Sequence, residues 1–311
     1  MELCLYDREH GYYSSHVRTI GTGGDFATTP TLAGILAKAL AQTIRLTGLQ
    51  DVIEIGPGAG HLATALRREL RPPFPRFRKQ PRYHLVERAP RLQSVLRKQL
   101  GRSVRFHSTM ENALHATGGA AFIFSNELVD AFPVRVFRKG EDHWQELVLE
   151  AGGAGIEEQW QPADHLPDSS LLRQPWTPGQ RLEVHASYRQ WLEDWLPHWK
   201  KGHLLTIDYG GASDEIYHRK PAGTIRGYYH HECVTGANLY RLPGRQDLTA
   251  DVNFDDLVRW GKELGLHDQH LVTQREYCSP FLGKSSSAAE RFLTDLHGAG
   301  QAFKVLVQER G

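Results

Sequence analysis

Cysteine is scarce in this chain. The 311 residues contain three cysteines, Cys4, Cys233 and Cys278. Their wide spacing forms neither a disulfide framework nor a C-x-x-C metal pair. Because unpaired cysteines are typical of reducing compartments, we expect a cytoplasmic protein.

An excess of charge is also lacking, and so are long apolar runs. Lys and Arg number 37 against 36 Asp and Glu, which gives a formal net charge of +1. No global field therefore draws the chain to nucleic acid or to an anionic membrane. No stretch reaches the roughly 18 apolar residues of a membrane span. The first residues lack the basic and apolar regions of a secretory signal, and their early acids are unlike a mitochondrial presequence.

Two features point to other ligands, and both have a plainer interpretation. The 17 histidines include no H-x-x-x-H or H-E-x-x-H pair, so scattered surface histidines are favoured over a metal site. Residues 71–82 form a basic, proline-rich loop in which Phe74 and Phe77 are interleaved, as in a nucleic-acid patch. A solvated connection is the better account of one short loop in a near-neutral chain.

The most informative stretch is residues 52–60, where an apolar strand runs into the glycine turn Gly56-Pro57-Gly58-Ala59-Gly60. A helix pattern begins at His61, and a second apolar run, residues 83–87, ends in Glu87. In nucleoside-binding α/β proteins such glycines let the ligand approach the backbone, and an acid on the next strand binds the ribose diol. The sequence therefore predicts a nucleoside site.

The spacing of the glycines separates two cofactor classes. A dinucleotide fingerprint is G-x-G-x-x-G, and His61 stands where its third glycine would be. Glu54 would repel a pyrophosphate, but it suits S-adenosylmethionine, whose ammonium and sulfonium groups are cationic. The pattern favours this methyl donor over a dinucleotide. A turn without any ligand is the least favoured interpretation, because Glu87 ends the second strand.

Alternating strand and helix patterns predict an α/β fold with a mostly parallel, seven-stranded sheet. The strand candidates are residues 51–55, 83–87, 104–106, 121–124, 203–209, 271–273 and 303–307. We expect a single domain over residues 1–311, with residues 134–200 inserted as a hairpin and helical region on the substrate side. Its predicted parts are a hairpin (134–137 with 144–149), an exposed excursion (151–180) and a core-facing helix (184–195).

Several blocks resemble the MidA-like S-adenosylmethionine-dependent methyltransferases, whose fold is the Rossmann-like class I fold. They span nearly the whole chain in order. The glycine turn alone is shared with many methyltransferases, and residues 84–87 are a further matching block. The other matching blocks are residues 10–13, 23–30, 126–134, 207–210, 223–226 and 247–254, of which Gly24-Asp25-Phe26, Asn126-Glu127-x-x-Asp130-Ala131-x-Pro133 and Asp247-Leu248-Thr249 are the more specific.

The resemblance implies a function and a partner. The mitochondrial members of the family are protein arginine methyltransferases needed for assembly of respiratory complex I. It therefore implies S-adenosylmethionine as methyl donor, an arginine-bearing acceptor protein and a role in assembly of a partner complex. The chain departs from the family pattern at Thr31 and Asn253, where acids are usual, and it begins inside a helix that precedes residue 10 in the family.

The resemblance also assigns residues to the site. The expected cofactor-binding residues are Glu54, Gly56, Pro57, Gly58, Gly60, Glu87, Asn126, Gly24 and Asp25. Residues 24–26 precede the first strand and would fold over the cofactor as a lid. Phe26, Arg226 and Asp247 are predicted to shape the acceptor site. An internal salt bridge between loops explains Arg226 and Asp247 equally well.

Two acids are candidates for catalysis. Asn126 and Glu127 follow the fourth strand, at the carboxyl edge where open α/β sheets bind ligands. A carboxylate there would pair with the acceptor guanidinium, whose pKa of about 12.5 or more opposes proton loss. Glu127 is the first candidate and Asp130 the second. Asp130 is explained nearly as well as an acid at a helix N-terminus.

Two alternatives to protein arginine methylation stay open. One is a small-molecule O- or N-methyltransferase built on the same fold. The other is an assembly factor that binds the methyl donor with weak or no catalysis, which the missing acid at Thr31 favours. An RNA methyltransferase is disfavoured because basic surface is confined to one loop.

Overall fold

A computed structural model describes residues 1–16, 33–72, 80–153, 155–230, 232–284, 286–295 and 298–311. The chain divides into two compact units. We call residues 18–128, 193–208 and 261–311 the parallel-sheet unit, and residues 1–17, 129–192 and 209–260 the antiparallel-sheet unit. Each is described by itself.

Helices and strands alternate through most of the described residues. The α-helices are α1 Glu2–Tyr6, α2 Ala33–Thr47, α3 His61–Glu69, α4 Pro90–Leu100, α5 Met110–Thr117, α6 Ala186–Trp195, α7 Ser213–Tyr217, α8 Phe254–Glu263, α9 Gln274–Cys278, α10 Ala288–Phe292 and α11 Ala299–Ala302. The strands are β1 Asp51–Ile55, β2 Arg82–Val86, β3 Arg105–His107, β4 Ala120–Asn126, β5 Arg135–Lys139, β6 Trp144–Gly152, β7 Gly155–Pro162, β8 Arg181–Val184, β9 Lys201–Gly211, β10 Arg226–Tyr229, β11 Glu232–Val234, β12 Asp247–Thr249, β13 Val252–Asn253, β14 His267–Thr273 and β15 Phe303–Arg310.

The parallel-sheet unit is built on seven strands in the order β14-β15-β9-β4-β1-β2-β3. Strands β9, β4, β1, β2 and β3 pair in parallel, each with the next in that order, whereas β14 is antiparallel to β15. All seven predicted strands are present, with ends that differ by a few residues. The predicted mostly parallel α/β fold is therefore confirmed.

Burial in this unit follows the apolar pattern of the sequence. Residues 121–124 of β4 are fully buried, as expected for a central strand with helices over both faces. In α4, Leu92, Leu96 and Leu100 are buried at four-residue spacing, and Pro90 occupies the first position of the helix. Side chains of α2, α3, β1, β4, β9 and β15 join one hydrophobic core.

The antiparallel-sheet unit contains two further sheets. One has the order β7-β6-β5-β8 and the other β11-β10-β12, and the neighbouring strands in both are antiparallel. The predicted hairpin is present as β5 and β6. The last residues of β9, Gly210 and Gly211, belong to this unit and pair in parallel with β13.

Residues 151–180 are mostly exposed, as predicted, and they contain a strand that the sequence pattern did not reveal. Strand β7 pairs with β6 along its whole length. Its half-buried positions include only Ile156 and Trp160 as large apolar residues among Glu and Gln, which conceals the strand pattern. Val184 ends β8 instead of opening the helix, which begins at Ala186. The other positions predicted to face the core, Tyr188, Leu192 and Trp195, are buried, and Trp191 is half-buried.

Among the described residues, no helix combines the length and the apolar character that a membrane crossing requires.

Candidate functional site

The ends of three parallel strands lie level at one edge of the parallel sheet. Ile55 of β1 pairs with Val86 of β2 on one side and with Ser125 of β4 on the other. The residues that follow these three are therefore Gly56, Glu87 and Asn126 on adjacent strands, which are about 4.8 Å apart. The fold thus brings together the glycine turn and two of the polar positions predicted for cofactor binding.

The glycine turn has a backbone that side chains disfavour. Gly56, Gly58 and Gly60 all have positive φ angles, of 62°, 53° and 76°. A Cβ at Gly56 would lie 2.8 Å from Leu128 Cδ1, and one at Gly60 would lie 2.7 Å from Leu96 Cδ2. The Gly60 N–H donates to the Pro57 carbonyl at 2.8 Å, which closes the turn immediately before α3. The turn is therefore fixed by conformation and by packing.

Glu87 is a buried carboxylate at the end of β2. Its Oε1 accepts a hydrogen bond from the Ala89 N–H at 2.7 Å. Burial raises the pKa of Glu87 to about 7, against the lowering effect of the Ala89 and Arg88 backbone N–H groups. A carboxylate held this way at the strand end has a second oxygen suited to accepting hydroxyl groups.

Glu54 lies inside the sheet, where the Tyr83 hydroxyl donates to its Oε2 at 2.6 Å. Burial raises the pKa of Glu54 to about 7, and the bond from Tyr83 opposes that rise. Tyr83 is the contact that sequence analysis did not identify. The predicted role of Glu54 in cofactor binding stays a prediction.

The raised pKa of Glu54 makes stability depend on pH. Between the ordinary pKa of 4.5 and about 7, the folded protein binds more protons than the unfolded chain, so stability falls as pH rises. Glu54→Gln keeps an acceptor for Tyr83 and removes this titration. We expect its free energy of unfolding, relative to wild type, to increase by about 2 to 3 kcal/mol between pH 5 and pH 8. Urea denaturation of both proteins without cofactor measures this difference in the free energy of unfolding. The same difference at pH 5 and at pH 8 would contradict a raised pKa for buried Glu54.

Glu127 follows β4 in a strained backbone turn. Its φ angle is 51°, in the left-handed region that glycine favours. The Glu127 N–H donates to the Ile207 carbonyl at 3.0 Å, and the Leu128 N–H donates to Asp208 Oδ2 at 3.1 Å. Asn126 Nδ2 donates to Glu127 Oε1 at 3.1 Å. Strain that several bonds maintain at a strand end is a recognised mark of functional sites.

Asp130 and its partners belong to the antiparallel-sheet unit. The Tyr209 hydroxyl donates to Asp130 Oδ2 at 2.5 Å. Burial raises the pKa of Asp130 to about 6, although Tyr209 and Arg226 both act to lower it. Asp130 lies in a short 3-10 turn, Val129–Ala131, so no α-helix begins there. A favourable interaction with a helix N-terminus is therefore a weaker explanation of why an acid stands at position 130.

The two residues predicted to shape the acceptor site have defined partners in this unit. Arg226 Nη1 forms an ion pair with Asp251 Oδ1 at 2.6 Å, and its guanidinium lies 4.7 Å from the centre of the Tyr209 ring. Asp247 is buried, and its Oδ1 accepts from the Tyr13 hydroxyl at 2.7 Å. Arg226 therefore forms an internal salt bridge, and its partner is Asp251. Contact of either residue with an acceptor stays a prediction.

Gly223 and Thr224 precede Arg226 and are fixed by a buried acid. Glu183 of β8 accepts from the Thr224 N–H at 3.0 Å, from the Thr224 hydroxyl at 2.9 Å and from the Tyr217 hydroxyl at 2.9 Å. A Cβ at Gly223 would overlap Glu183 Oε1. The position of Arg226 is therefore set by a network that begins on β8.

The departure at Asn253 has a local explanation. Its Oδ1 accepts from the Asp255 N–H at 3.2 Å, and its Nδ2 donates to the Ser170 hydroxyl at 2.9 Å. An aspartate would keep the acceptor and lose the donor. Gly24, Asp25, Phe26 and Thr31 lie outside the described residues.

Asp208 contacts the Leu128 N–H in one unit and Tyr209 contacts Asp130 in the other, and sequence analysis selected neither of them. They end the fifth predicted strand, and an acid at the carboxyl end of a buried strand was the available signal. Within the described ranges, no group of three or more His, Cys, Asp or Glu side chains is arranged to hold a metal ion.

The residues present fit an adenosyl methyl donor. A backbone turn lies beside Glu87, an acid suited to a ribose diol, and Glu127 follows the strand on the other side of the turn. His61 replaces the third glycine of the dinucleotide fingerprint, which packs the helix closely against the strand in those sites. Fold and site together define a class I S-adenosylmethionine-dependent methyltransferase.

The chain belongs to the family Methyltransf_28 of S-adenosyl-L-methionine-dependent methyltransferases, whose model matches residues 35–272. A solved COG1565 superfamily member from Burkholderia thailandensis, bound to S-adenosyl-homocysteine, is 25% identical with a TM-score of 0.84. The match covers 99% of this chain and 86% of that one.

Curated relatives carry a more specific name. The protein arginine methyltransferase NDUFAF7, mitochondrial, of Xenopus tropicalis is 26% identical over 83% of this chain, and the Danio rerio protein of that name is 25% identical over 79%. The chain spans 65% and 64% of the length of these two relatives.

Proposed function

We propose that this methyltransferase transfers the methyl group of S-adenosylmethionine to an arginine side chain of an acceptor protein. The observation that carries the proposal is Glu127, an acid in a strained turn at the carboxyl end of β4, one strand from the glycine turn. The names of the curated relatives support arginine as the acceptor residue. The resemblance to MidA-like proteins supports an acceptor that is a subunit of a larger assembly.

In this proposal, residues of the parallel-sheet unit bind S-adenosylmethionine. Glu87 accepts the two ribose hydroxyls, and the backbone of residues 56–60 passes under the nucleoside. Glu54 and Asn126 are the other polar side chains proposed to bind the cofactor. S-adenosylmethionine, when bound, supplies an electrophilic methyl group on a sulfonium, so the protein needs no covalent intermediate.

Glu127 acts on the acceptor in this proposal. A guanidinium is protonated at neutral pH, and its nitrogen must lose a proton as it gains a methyl group. A carboxylate pairs with two guanidinium N–H groups in a fork, which fixes the orientation of the third nitrogen. Glu127 then accepts the released proton as a general base, or passes it to solvent. Asp130 is the second acid assigned to the guanidinium.

A location in the cytoplasm is part of the proposal. It is supported by the three widely separated cysteines, all of which are free thiols. The curated relatives are named mitochondrial, so the compartment is best tested by imaging a tagged protein in its own cell.

A small-molecule methyltransferase and an assembly factor without catalysis are the competing functions. Both would bind the methyl donor, so binding does not separate them from the proposal. The fraction of a lysate that receives the methyl group does separate them, because it can be protein, small molecules or neither. Glu127 and Asp130 favour catalysis over the inactive alternative.

Labelling in a lysate distinguishes the three functions. The purified protein and S-adenosylmethionine with a tritiated methyl group are added to a lysate of cells that lack this protein. We expect label in one or a few protein bands, absent with Glu127→Gln. Label in the small-molecule fraction alone would favour the first alternative. No labelled product, together with full binding of S-adenosylhomocysteine, would favour the second.

A further inference from the structure

Asp130 has a fixed backbone in the antiparallel-sheet unit. The Ala250 N–H donates to the Asp130 carbonyl at 3.0 Å, and the Tyr6 hydroxyl donates to the Ala131 carbonyl at 2.9 Å. The 3-10 turn that carries Asp130 is thus held from α1 and from the segment after β12. The direction of its carboxylate depends on the side chains that contact it.

The Tyr209 hydroxyl is the closest of those contacts, at 2.5 Å from Asp130 Oδ2. Tyr209 stands on β9, 79 residues away along the chain. The Arg226 guanidinium covers its ring at 4.7 Å, and Asp251 holds Arg226. Lys220 Nζ lies 2.8 Å from the other oxygen of Asp251. The chain of contacts therefore runs from Lys220 through Asp251, Arg226 and Tyr209 to Asp130.

We propose that Tyr209 is a positioning residue that orients the Asp130 carboxylate for the guanidinium of the acceptor, and that Arg226 holds Tyr209 in place. The proposal rests on the proposed function, in which Asp130 acts on that guanidinium. It changes the expected role of Arg226, which works through Tyr209 on a carboxylate of its own unit.

Among the described residues, the ionisable groups that face Asp130 include Tyr209 from β9, Arg226 from β10, and Tyr13 from the turn after α1. Burial raises the pKa of Asp130, while the Tyr209 bond and the charge of Arg226 lower it. A hydroxyl that donates to the charged form favours that form. Tyr209 therefore sets both the direction and the charge of the carboxylate.

Tyr209→Phe tests the proposal, because phenylalanine keeps the ring under Arg226 and removes only the hydroxyl. We expect the ionisation midpoint of Asp130 to rise from about 6 by about one pH unit. The measurement is a carbon-13 NMR titration of aspartate carboxyls in the complex with S-adenosylhomocysteine, with Asp130 assigned from Asp130→Asn.

The chain offers a matched control. The Tyr240 hydroxyl donates to Glu158 Oε1 at 2.7 Å, and Glu158 pairs with Arg181 at 2.6 Å. Tyr240→Phe removes the same kind of bond in the same unit, and we expect no change in the Asp130 midpoint. If Tyr209→Phe folds poorly, Arg226→Gln provides the second variant, with an upward shift because it removes the positive charge that lowers the pKa of Asp130.

Binding of methylguanidine, a probe of the acceptor's cationic group, separates failure of this inference from failure of the proposed function. Tyr209→Phe should weaken its binding about fivefold or more at pH 6, where both the charge and the orientation of Asp130 change. A smaller loss should persist at pH 8.5, where Asp130 is ionised in both proteins and only its orientation differs; equal binding at pH 8.5 would overturn the positioning role. An unchanged midpoint in Tyr209→Phe would overturn the positioning role. A shifted midpoint with methylguanidine binding unaffected by Asp130→Asn would remove Asp130 from the proposed function, and the inference with it.

Discussion

Replacing Glu87 with alanine should weaken binding of S-adenosylhomocysteine by about 100-fold or more. A carboxylate that accepts two hydroxyl groups contributes two hydrogen bonds to a charged group, each with a net value of about 1.5–3 kcal/mol. Losing both costs about 3 kcal/mol at the lower limit, which corresponds to more than two powers of ten in Kd. Isothermal titration calorimetry of the two proteins measures the difference directly.

A second buried acid in the same sheet provides the control. Asp51 lies at the opposite end of β1 and binds Arg82 and His84. Asp51→Asn should lower the thermal stability while leaving affinity for S-adenosylhomocysteine within about twofold, because no cofactor group is expected at that end of the strand. Equal loss of affinity in both variants would mean that Glu87 acts through the fold of the sheet.

The charge of Glu87 also predicts a pH dependence. Its pKa is raised to about 7 by burial, and the ionised form is the better acceptor for a diol. Affinity should therefore increase as pH rises from 5 through 7, and level off above 8. Glu87→Gln should bind less tightly and lose much of this dependence. Any pH dependence of affinity that remains in Glu87→Gln is attributed to Glu54, whose pKa is similarly raised.

Replacing Glu127 with glutamine should reduce methyl transfer by about 10²–10⁴-fold, the contribution of a general base. Glutamine has the same shape and keeps an oxygen for Asn126, so the turn should persist. Affinity for S-adenosylhomocysteine should stay within about threefold of wild type, since the lost charge acts on the acceptor. Full activity of the variant on the acceptor from the lysate would refute the role assigned to Glu127.

The backbone of Glu127 allows a second comparison. Its positive φ of 51° costs a side chain about 1 kcal/mol or more, and glycine relieves that strain. Glu127→Gly should therefore have a melting temperature equal to or above that of wild type, with no methyl transfer. Loss of activity without loss of stability would show that the strained glutamate is retained for chemistry.

Much of the fold and of the cofactor edge could be predicted from the sequence. Buried parallel strands are continuous apolar runs, and for that reason the sequence predicts β1, β4 and β9. Glu87 and Asn126 follow from the rule that ligands bind at the carboxyl ends of such strands. The structure adds the strand register, which places Glu87 and Asn126 level with Gly56.

The remainder depends on contacts between distant parts of the chain. Tyr209 and Asp130 are 79 residues apart, and Asp208 reaches the Leu128 N–H over 80 residues. No local pattern encodes these pairs. Strand β7 was missed because Ile156 and Trp160 stand among charged and amide side chains. The left-handed turn at Glu127 has no sequence signal at all, since glutamate is uncommon there.

In the proposed function the acceptor group is an arginine nitrogen. Complete acid hydrolysis of the protein band labelled by the wild-type enzyme, followed by chromatographic separation of its methylated amino acids, identifies the methylated residue. We expect the tritium to elute with methylated arginine. Label in methylated lysine or histidine, or released as methanol from a carboxyl ester, would contradict this assignment.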